Sequence, residues 1–507
     1  MRGDAQSTDV FESLAEKRRG GAVFRSEVEG KIDLGLPQKE ETMSNPPRCH
    51  PILIGMMGSL ALLSARGADA RSFFCAAGDT PCVIQAINEA NMSGHRNTIR
   101  LAAGTYTVSN ADNDTDGWNA LPSISSVLTI DVAGKGTAIL TRDVNAPSFR
   151  LLHVAASGHL TLRGVSVSNG RVDSGAGGAG LFNAGGDVTI DECAFSDNAA
   201  IRSAAGPGGL LNSGGQVTIT GSVFDRNVGV LGPGALGNTN EGTMRVVASQ
   251  ITNNFAGLEG GGLAVAGGSV SIAKTTFAGN SAAGAGTIWV FLGHLVVADS
   301  TFVGNRSTYG AAALMVNDGT VDVTNTTFAR QVLTPAPLLP IPHVIINARG
   351  VLTLTNSTFF ENTVSDVAVP PGAQVSLLSG GVNATTVLQN TILAHAITEP
   401  LLQDCRGSVT SLGNNVISEP VMCGITLQPG DLVGDPGLGA FTDDLTPGHG
   451  HFPLLRTSQA IDSGNDEVCP KRDQIGQLRK EPCDIGAIEF REKKRHDDGP
   501  KDDDQRR

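Results

Sequence analysis

Val188-Thr189-Ile190-Asp191-Glu192-Cys193-Ala194-Phe195-Ser196-Asp197-Asn198 is an alternating apolar strand followed by a Phe-x-x-Asn step, and Pro207-Gly208-Gly209-Leu210 closes it with a glycine turn on leucine. The same order returns through residues 181–362. Its Phe column holds Phe195, Phe224, Ile251, Phe277, Phe302, Phe328 and Phe359, spaced by 29, 27, 26, 25, 26 and 31 residues. Three residues after each stand Asn198, Asn227, Asn254, Asn280, Asn305, Gln331 and Asn362. A period in this range marks a solenoid, whose repeat cannot bury its apolar face alone and stacks on its neighbours.

The strand period decides which solenoid. Val188/Ile190, Val217/Ile219, Met244/Val246, Val270/Ile272, Leu295/Val297, Val321/Val323 and Leu352/Leu354 alternate with mostly polar residues. That is the two-residue period of a strand, and no helical spacing separates the copies. The reading is an all-β chain, a right-handed parallel β-helix in which each coil is strand, turn, strand, glycine turn. About nine coils at ~4.8 Å each predict a rod on the order of 45 Å long.

The columns have mechanical explanations. Asn at one turn position in successive coils can bond to the copies above and below, so Asn198, Asn227, Asn254, Asn280, Asn305 and Asn362 are expected to form a structural ladder. Glycine supplies positive φ and close approach at a tight corner. A small column, Cys193, Ser222, Ser249, Thr275, Ser300, Thr326 and Ser357, lies two residues before each Phe and faces inward with it by alternation.

With these residues in view, the repeats resemble the polymorphic outer membrane protein repeats of bacteria. Phe149-Arg150-Leu151-Leu152-His153-Val154 and Leu160-Thr161-Leu162-Arg163-Gly164 are similar to exported bacterial β-helix proteins of the pectin-lyase-like class. The resemblance is specific for architecture and weak for activity.

Residues 1–42 are polar, with no apolar period, and Met43 opens a segment with the features of a secretory signal. Arg48 and His50 form its basic flank, Ile52 to Ser64 its apolar run, and Ala68-Asp69-Ala70 a small-x-small cleavage site. The run is short for a membrane span. Residues 1–42 are therefore expected to be a mis-assigned extension, with the signal peptide at 43–70. Export agrees with the cysteines. Cys49 leaves with the signal, Cys193 sits in the inward small column, and six form local pairs: Cys75/Cys82, Cys405/Cys423 and Cys469/Cys483. Short loops cost least to close, and disulfides need an oxidising compartment, so periplasm, cell surface or extracellular space is implied. No Cys-His cluster has zinc-ligand spacing.

Residues 71–95 make an amino-terminal cap. Thr80-Pro81 is an N-cap with a first-turn proline, and Ile84, Ile87 and Asn91 continue at helical spacing to Gly94. Such a helix would cover the open strand edge of the first coil. Cys82 to Asn91 also resembles the CSLREA segment of exported bacterial proteins, departing at Val83, Ile84 and Gln85. Ile99, Leu101 and Gly104-Thr105-Tyr106 look like the first coil. In the next loop, Asp112, Asp114 and Asp116 alternate before Gly117, an oxygen spacing that can wrap calcium. The twelfth position is Ser123 rather than a bidentate Glu, and no helices flank the loop, so it also reads as a solvated Asx-rich turn. Calcium is the one cofactor the sequence raises.

The β-helix is expected over residues 96–400, with Pro335 to Pro342 and Pro370-Pro371 bulging from it and a last coil-like strand at Val387 to Leu393. Residues 401–490 resemble the choice-of-anchor Q region. The matching residues are Val433-Gly434-Asp435-Pro436, Ala460-Ile461-Asp462-Ser463-Gly464, Asp473-Gln474-Ile475-Gly476 and Cys483-Asp484-Ile485-Gly486-Ala487-Ile488-Glu489. Ile475 stands where that family commonly has Arg, and Gln459 where it has Pro. The resemblance implies a sorting or anchoring segment beyond it. Arg491 to Arg507 reads instead as a disordered charged tail.

Glycine, at 64 of 507 residues, fits tight β-helix corners. A net charge of −13 argues against nucleic acid or an anionic membrane as partner, and no span is expected in the mature chain. Two function classes remain: a non-catalytic exported β-helix in surface attachment or matrix contact, with an extracellular polysaccharide or a surface protein as partner, or a polysaccharide lyase or hydrolase with a loop-built site. Outward positions of the main strand are Thr189, Thr218, Arg245, Ser271, Val296, Asp322 and Thr353, with no acid–base pair on adjacent coils. Two Trp and two Tyr leave little for stacking on sugars. The balance is against catalysis, and no catalytic residue is assigned.

One further row bears on binding. Leu181, Leu210, Leu236, Leu263, Ile288, Leu314 and Ile345 follow the glycine turns and are expected inward. Phe182, Leu211, Gly237, Ala264, Trp289, Met315 and Ile346 then face outward, either as an apolar partner-binding stripe centred on Trp289 or under covering loops.

Overall fold

A computed structural model describes residues 70–335, 342–365, 375–395 and 402–492, within one compact unit, Ala68–Arg507. The expected extension 1–42, the signal segment up to residue 69 with Cys49, Pro370-Pro371, most of the stretch between Pro335 and Pro342, and the tail beyond 492 lie outside the described residues.

The alternating strands stack as a right-handed parallel β-helix of about twelve turns. A complete turn holds four short strands, for example Gln216–Thr220, Val223–Asp225, Val228–Gly229 and Leu236–Thr239. The sequence reading had two. Among the additional strands is the third, two residues long and too short to carry a period. In the first row, Val188, Val217, Met244, Val270, Leu295, Val321 and Leu352 are in direct register, so apolar side chains stack without offset. Among the described residues the third row has eight strands and the fourth ten. The first two rows merge into one sheet because β1 (Ser72–Cys75) pairs with β2 (Asn97–Val108), and β2 and β3 (Val127–Arg142) run through both. The expected first and last coils are present as β2 and Thr385–Gln389, and turns beyond the expected nine come from the ends, where β3 and strands such as Thr410–Ser411 and Leu432–Val433 pair without the Phe-x-x-Asn signature.

The core follows the columns. Phe195, Phe224, Phe277, Phe302, Phe328 and Phe359 are fully buried, and consecutive rings stack, as Phe302 on Phe328 at 4.9 Å. Asn227 Oδ1 accepts from the backbone N–H of Asn198 at 3.2 Å and from its Nδ2 at 3.0 Å. Asn254, Asn280 and Asn305 repeat both bonds, and Gln331 and Asn362 continue the backbone bond. Each rung satisfies a corner N–H that the stacked sheets leave unpaired. A second, shorter ladder on the fourth row, Asn183 to Asn212 to Asn238 at 2.8 Å each, escaped the sequence reading because Val265, Val290 and Val316 interrupt the column before Asn347.

Glycine serves the corners in both expected ways. Gly178, Gly206 and Gly260 of the glycine-rich turns have positive φ, as do Gly164 and Gly221 between first and second rows, where other coils use Glu192, Ala248, Lys274, Asp299, Asn325, Asn356 and Asn390. Close approach is the second use: a Cβ on Gly208 would stand 2.2 Å from Asn198 O, and one on Gly234 would stand 2.3 Å from Gly261 O.

At the amino end, α1 (Thr80–Ser93) buries Val83, Ala86, Ile87 and Ala90 in the same core as the coils. Its N-cap is Asp79, whose carboxylate accepts from Cys82 N at 3.1 Å; Thr80 is the first helical residue. At the other end, residues 434–490 fold back along the solenoid as a strap. It bonds Asn414, Asn390, Asn356 and Asn325, then the Thr358, Thr327, Thr301 and Thr276 hydroxyls. Cys75–Cys82, Cys405–Cys423 and Cys469–Cys483 are disulfide-bonded. Cys193 is a buried free thiol whose pKa burial pushes up to about 11, the state of an inert core cysteine.

Candidate functional site

Two excursions from the repeat meet near the amino end. The first leaves the solenoid between β2 and β3. Its arms close as a hairpin, with Asp112 N donating to Asn119 O at 2.8 Å and Asn119 N to Asn113 O at 3.0 Å. Its base is pinned to the rod, since Arg150 N donates to Trp118 O at 2.8 Å and Ala120 N to Arg150 O at 2.7 Å. Trp118 stands at the end of this hairpin with 64% of its surface exposed.

The second excursion is a widening of the third row. That row is two residues long in the middle coils, as at Val228–Gly229 and Phe255–Ala256, but Arg171–Ala176 and Ala199–Ala205 run to six and seven. They pair twice, at Arg171↔Ala199 and again at Ser203↔Ser174, so the extra residues form a two-stranded wall. Between wall and hairpin lies a cleft of about 390 Å³, lined by Asp116, Trp118, Ser148, Arg171, Asp173 and Phe182 among others.

The cleft's charges are paired. Arg171 Nε lies 3.2 Å from Asp173 Oδ1, and Arg202 NH1 reaches Asp173 Oδ2 from the next coil at 3.4 Å. Burial alone would raise the Asp173 carboxyl, but hydrogen bonds from Ser148 and Arg171 and the charges of Arg171 and Arg202 hold it below its ordinary value. Arg150 forms the floor, its guanidinium over the Phe182 ring at 4.9 Å. Its Nε donates to Gly178 O, NH1 to Asn119 Oδ1, and NH2 to Ala176 O and Gly177 O. Behind it His153, buried and with Nδ1 on Ser123 Oγ at 2.9 Å, has its pKa pushed down to about 4 by burial and by Arg150. Asp116 accepts from Ser123 Oγ at 2.6 Å.

The sequence-derived site residues scatter. Phe182 lines this cleft. Leu211, Trp289, Met315 and Ile346 lie in strict register with it along the fourth row but not at the cleft. The row is not an exposed stripe: Leu211, Ala264, Trp289 and Met315 are buried, and Phe182 and Ile346 half-buried. Segments leading into the row fold over it, as where a Cβ on Gly237 would stand 3.1 Å from Pro207 Cδ and one on Gly206 3.6 Å from Leu211 Cδ2. Trp289 stacks on Phe291 at 5.5 Å. Of the calcium candidates only Asp116 enters the cleft. Among the described residues no three His, Cys, Asp or Glu side chains converge as a metal cage, Asp112, Asp114 and Asp116 included.

Sequence reasoning missed Trp118, Arg171, Asp173 and Arg202. The only signal was negative, a break in the repeat before its first regular copy. On the first row, the outward column Thr189, Thr218, Arg245, Ser271, Val296, Asp322 and Thr353 is in direct register, with Ser271 and Val296 between Arg245 and Asp322.

The architecture is that of right-handed β-solenoid proteins. Residues 129–282 match the family model of a right handed beta helix region. Among solved structures, the chain is similar to pectate lyase Pel9A, at 16% identity and a TM-score of 0.42, covering 84% of this chain and 98% of that one. It is also similar to a family 28 exopolygalacturonase of Yersinia enterocolitica, at 10% identity and a TM-score of 0.24, covering 72% and 78%. A tailspike protein mutant of E. coli bacteriophage HK620 follows at 10% identity and a TM-score of 0.23, covering 70% and 74%. No curated protein matches the chain. These likenesses concern the fold.

Chemically, Asp173 is placed as a carboxylate that accepts hydrogen bonds. A general acid needs a pKa near working pH, and Asp173 is moved the other way by two guanidiniums.

Proposed function

We propose that this is an exported, non-catalytic β-helix protein that works by contact with an extracellular polysaccharide or a surface protein. The observation that carries the reading is the meeting of both excursions around one cleft with an exposed Trp118 at its mouth and the Asp173 carboxylate paired with Arg171 and Arg202. Insertions on a solenoid that gather on one face commonly form its binding face. Export is supported by the three disulfides, and among the described residues no helix is long and apolar enough to cross a membrane. The resemblance of the repeats and of residues 401–490 to exported bacterial surface proteins points the same way.

The test compares retention with turnover. Purified protein is incubated with insoluble extracellular matrix and with soluble polygalacturonate, and bound protein and newly formed chain ends are both measured. Retention without new ends supports the contact reading. Sustained release of ends means a lyase or hydrolase and overturns it.

A further inference from the structure

We propose that the Trp118 cleft is a subsite for a neutral pyranose unit of a glycan chain, with the sugar ring face on the Trp118 indole and adjacent hydroxyls on the Asp173–Arg171 pair. This deepens the contact reading and rests on it. Three features of the cleft select this ligand. Its volume, about 390 Å³, is in the range of small-ligand pockets rather than of a flat protein interface. Trp118 is a large apolar plane left 64% exposed, where the chain's other tryptophan, Trp289, is buried to 9%. A flat aromatic face beside hydrogen-bonding groups suits a sugar, which is apolar across its C–H face and polar around its rim. Finally, Asp173 offers acceptors and Arg171 donors side by side on the lining, with Arg171 Nε on the carboxylate.

Charge chooses neutral over acidic sugars. The guanidinium on the floor has its donors taken: Arg150 makes four bonds to neutral protein oxygens, which leaves no free fork for a ligand carboxylate. Asp116, on the opposite side of the lining, is exposed, and Asp173 neutralises Arg171. A uronate carboxylate entering here would meet the Asp116 and Asp173 carboxylates, while the guanidiniums that offset them already hold partners, Arg171 and Arg202 on Asp173 and Arg150 on four protein oxygens. The whole chain, at −13, also repels polyanions at long range. A neutral polyol pays no such cost and can use both the acceptors and the donors.

The two tryptophans make the experiment direct, because only Trp118 can report solvent changes at the cleft. Intrinsic fluorescence of the full protein is titrated with cellohexaose, mannohexaose and maltohexaose, and separately with hexagalacturonate. At least one neutral hexaose should saturate with a blue shift. Trp118→Ala, followed by isothermal calorimetry because it removes the reporter, should weaken that binding at least about tenfold. Asp173→Asn should weaken it several-fold while leaving the thermal midpoint within a few degrees. Trp118 is exposed enough that its removal leaves the core intact, which circular dichroism verifies. The proposal is overturned if no neutral hexaose binds, if Trp118→Ala binds it equally well, or if hexagalacturonate binds more tightly with the same Trp118 dependence. Matrix retention that persists in Trp118→Ala removes this subsite and leaves the contact reading standing. Cleavage of any hexaose removes the contact reading itself.

Discussion

Gln474 and Thr327, 147 residues apart, meet through a hydrogen bond of 2.6 Å from the threonine hydroxyl to Gln474 Oε1. The other half of the same amide donates to Thr301 Oγ1, Gly448 O and Gly450 O at 3.0, 2.7 and 2.8 Å. One fully used carboxamide thus joins the strap to two successive coils.

Gln474→Leu should therefore destabilise the protein by about 1–3 kcal/mol, since buried hydroxyls and carbonyls lose partners without reaching water. Urea denaturation measures the loss. Limited proteolysis should cut within residues 434–490 before it cuts the coils.

Asn254 is an interior rung: its Oδ1 accepts twice from Asn227, and its Nδ2 donates to Phe224 O and Asn280 Oδ1 at 2.9 and 3.0 Å. Asn254→Ala strands several buried groups and should cost more than Asn362→Ala at the ladder's end, where the side chain accepts from Gln331 N and donates to Phe328 O. Equal costs in chemical denaturation would mean the rungs act independently of their place.

Cys469–Cys483 closes a short loop in the strap. Replacing both by Ala should lower stability by about 3 kcal/mol if the loop entropy is the main effect. The coils before Thr276, which the strap does not reach, should keep their amide-exchange protection in the double variant.

Two buried histidines predict acid lability. His343 accepts from Ser376 N at 3.1 Å and is pushed down to about 3 by burial and by Arg406, and His153 is pushed down to about 4. A base whose folded pKa is depressed binds fewer protons folded than unfolded. Its stabilisation is present above the unfolded value near 6.5 and is lost as pH falls toward the folded one. Each histidine should remove up to ~1.4 kcal/mol per pH unit over that window. Burial raises the Asp484 and Glu489 carboxyls, which act with the opposite sign and lose stabilisation as pH rises through their folded values. Comparing the pH slope of the native chain with that of His343→Asn between pH 6.5 and 4.5 isolates one histidine. A variant with an unchanged slope would refute the assignment.

Trp289→Ser should destabilise by about 3–5 kcal/mol, the range for losing a buried aromatic, and leave attachment per folded molecule unchanged. Loss of attachment with full stability would return the fourth row to the list of contact surfaces.

Much of the rod was written in the chain because β-helix contacts are nearest-neighbour. Val188 stacks on Val217, Phe195 on Phe224, and Asn198 on Asn227, each one period away, so a column in the sequence is a column in space. The parity after the glycine turns was legible for the same reason, since Leu210 pairs with Leu236 and Leu211 with Gly237. Burial of that row was not, because it depends on what folds over it. The strap and the cleft lay beyond any periodic argument. Thr301 and Thr327 look like ordinary outward strand residues until Gln474 arrives from the carboxyl-terminal region. Trp118 and Asp173 lie 55 positions apart in two segments whose only shared property is that they leave the repeat. Periodicity reports contacts made at one fixed sequence separation. Contacts made once, at an arbitrary separation, leave no period, and only the folded chain brings Trp118 and Asp173 to one cleft.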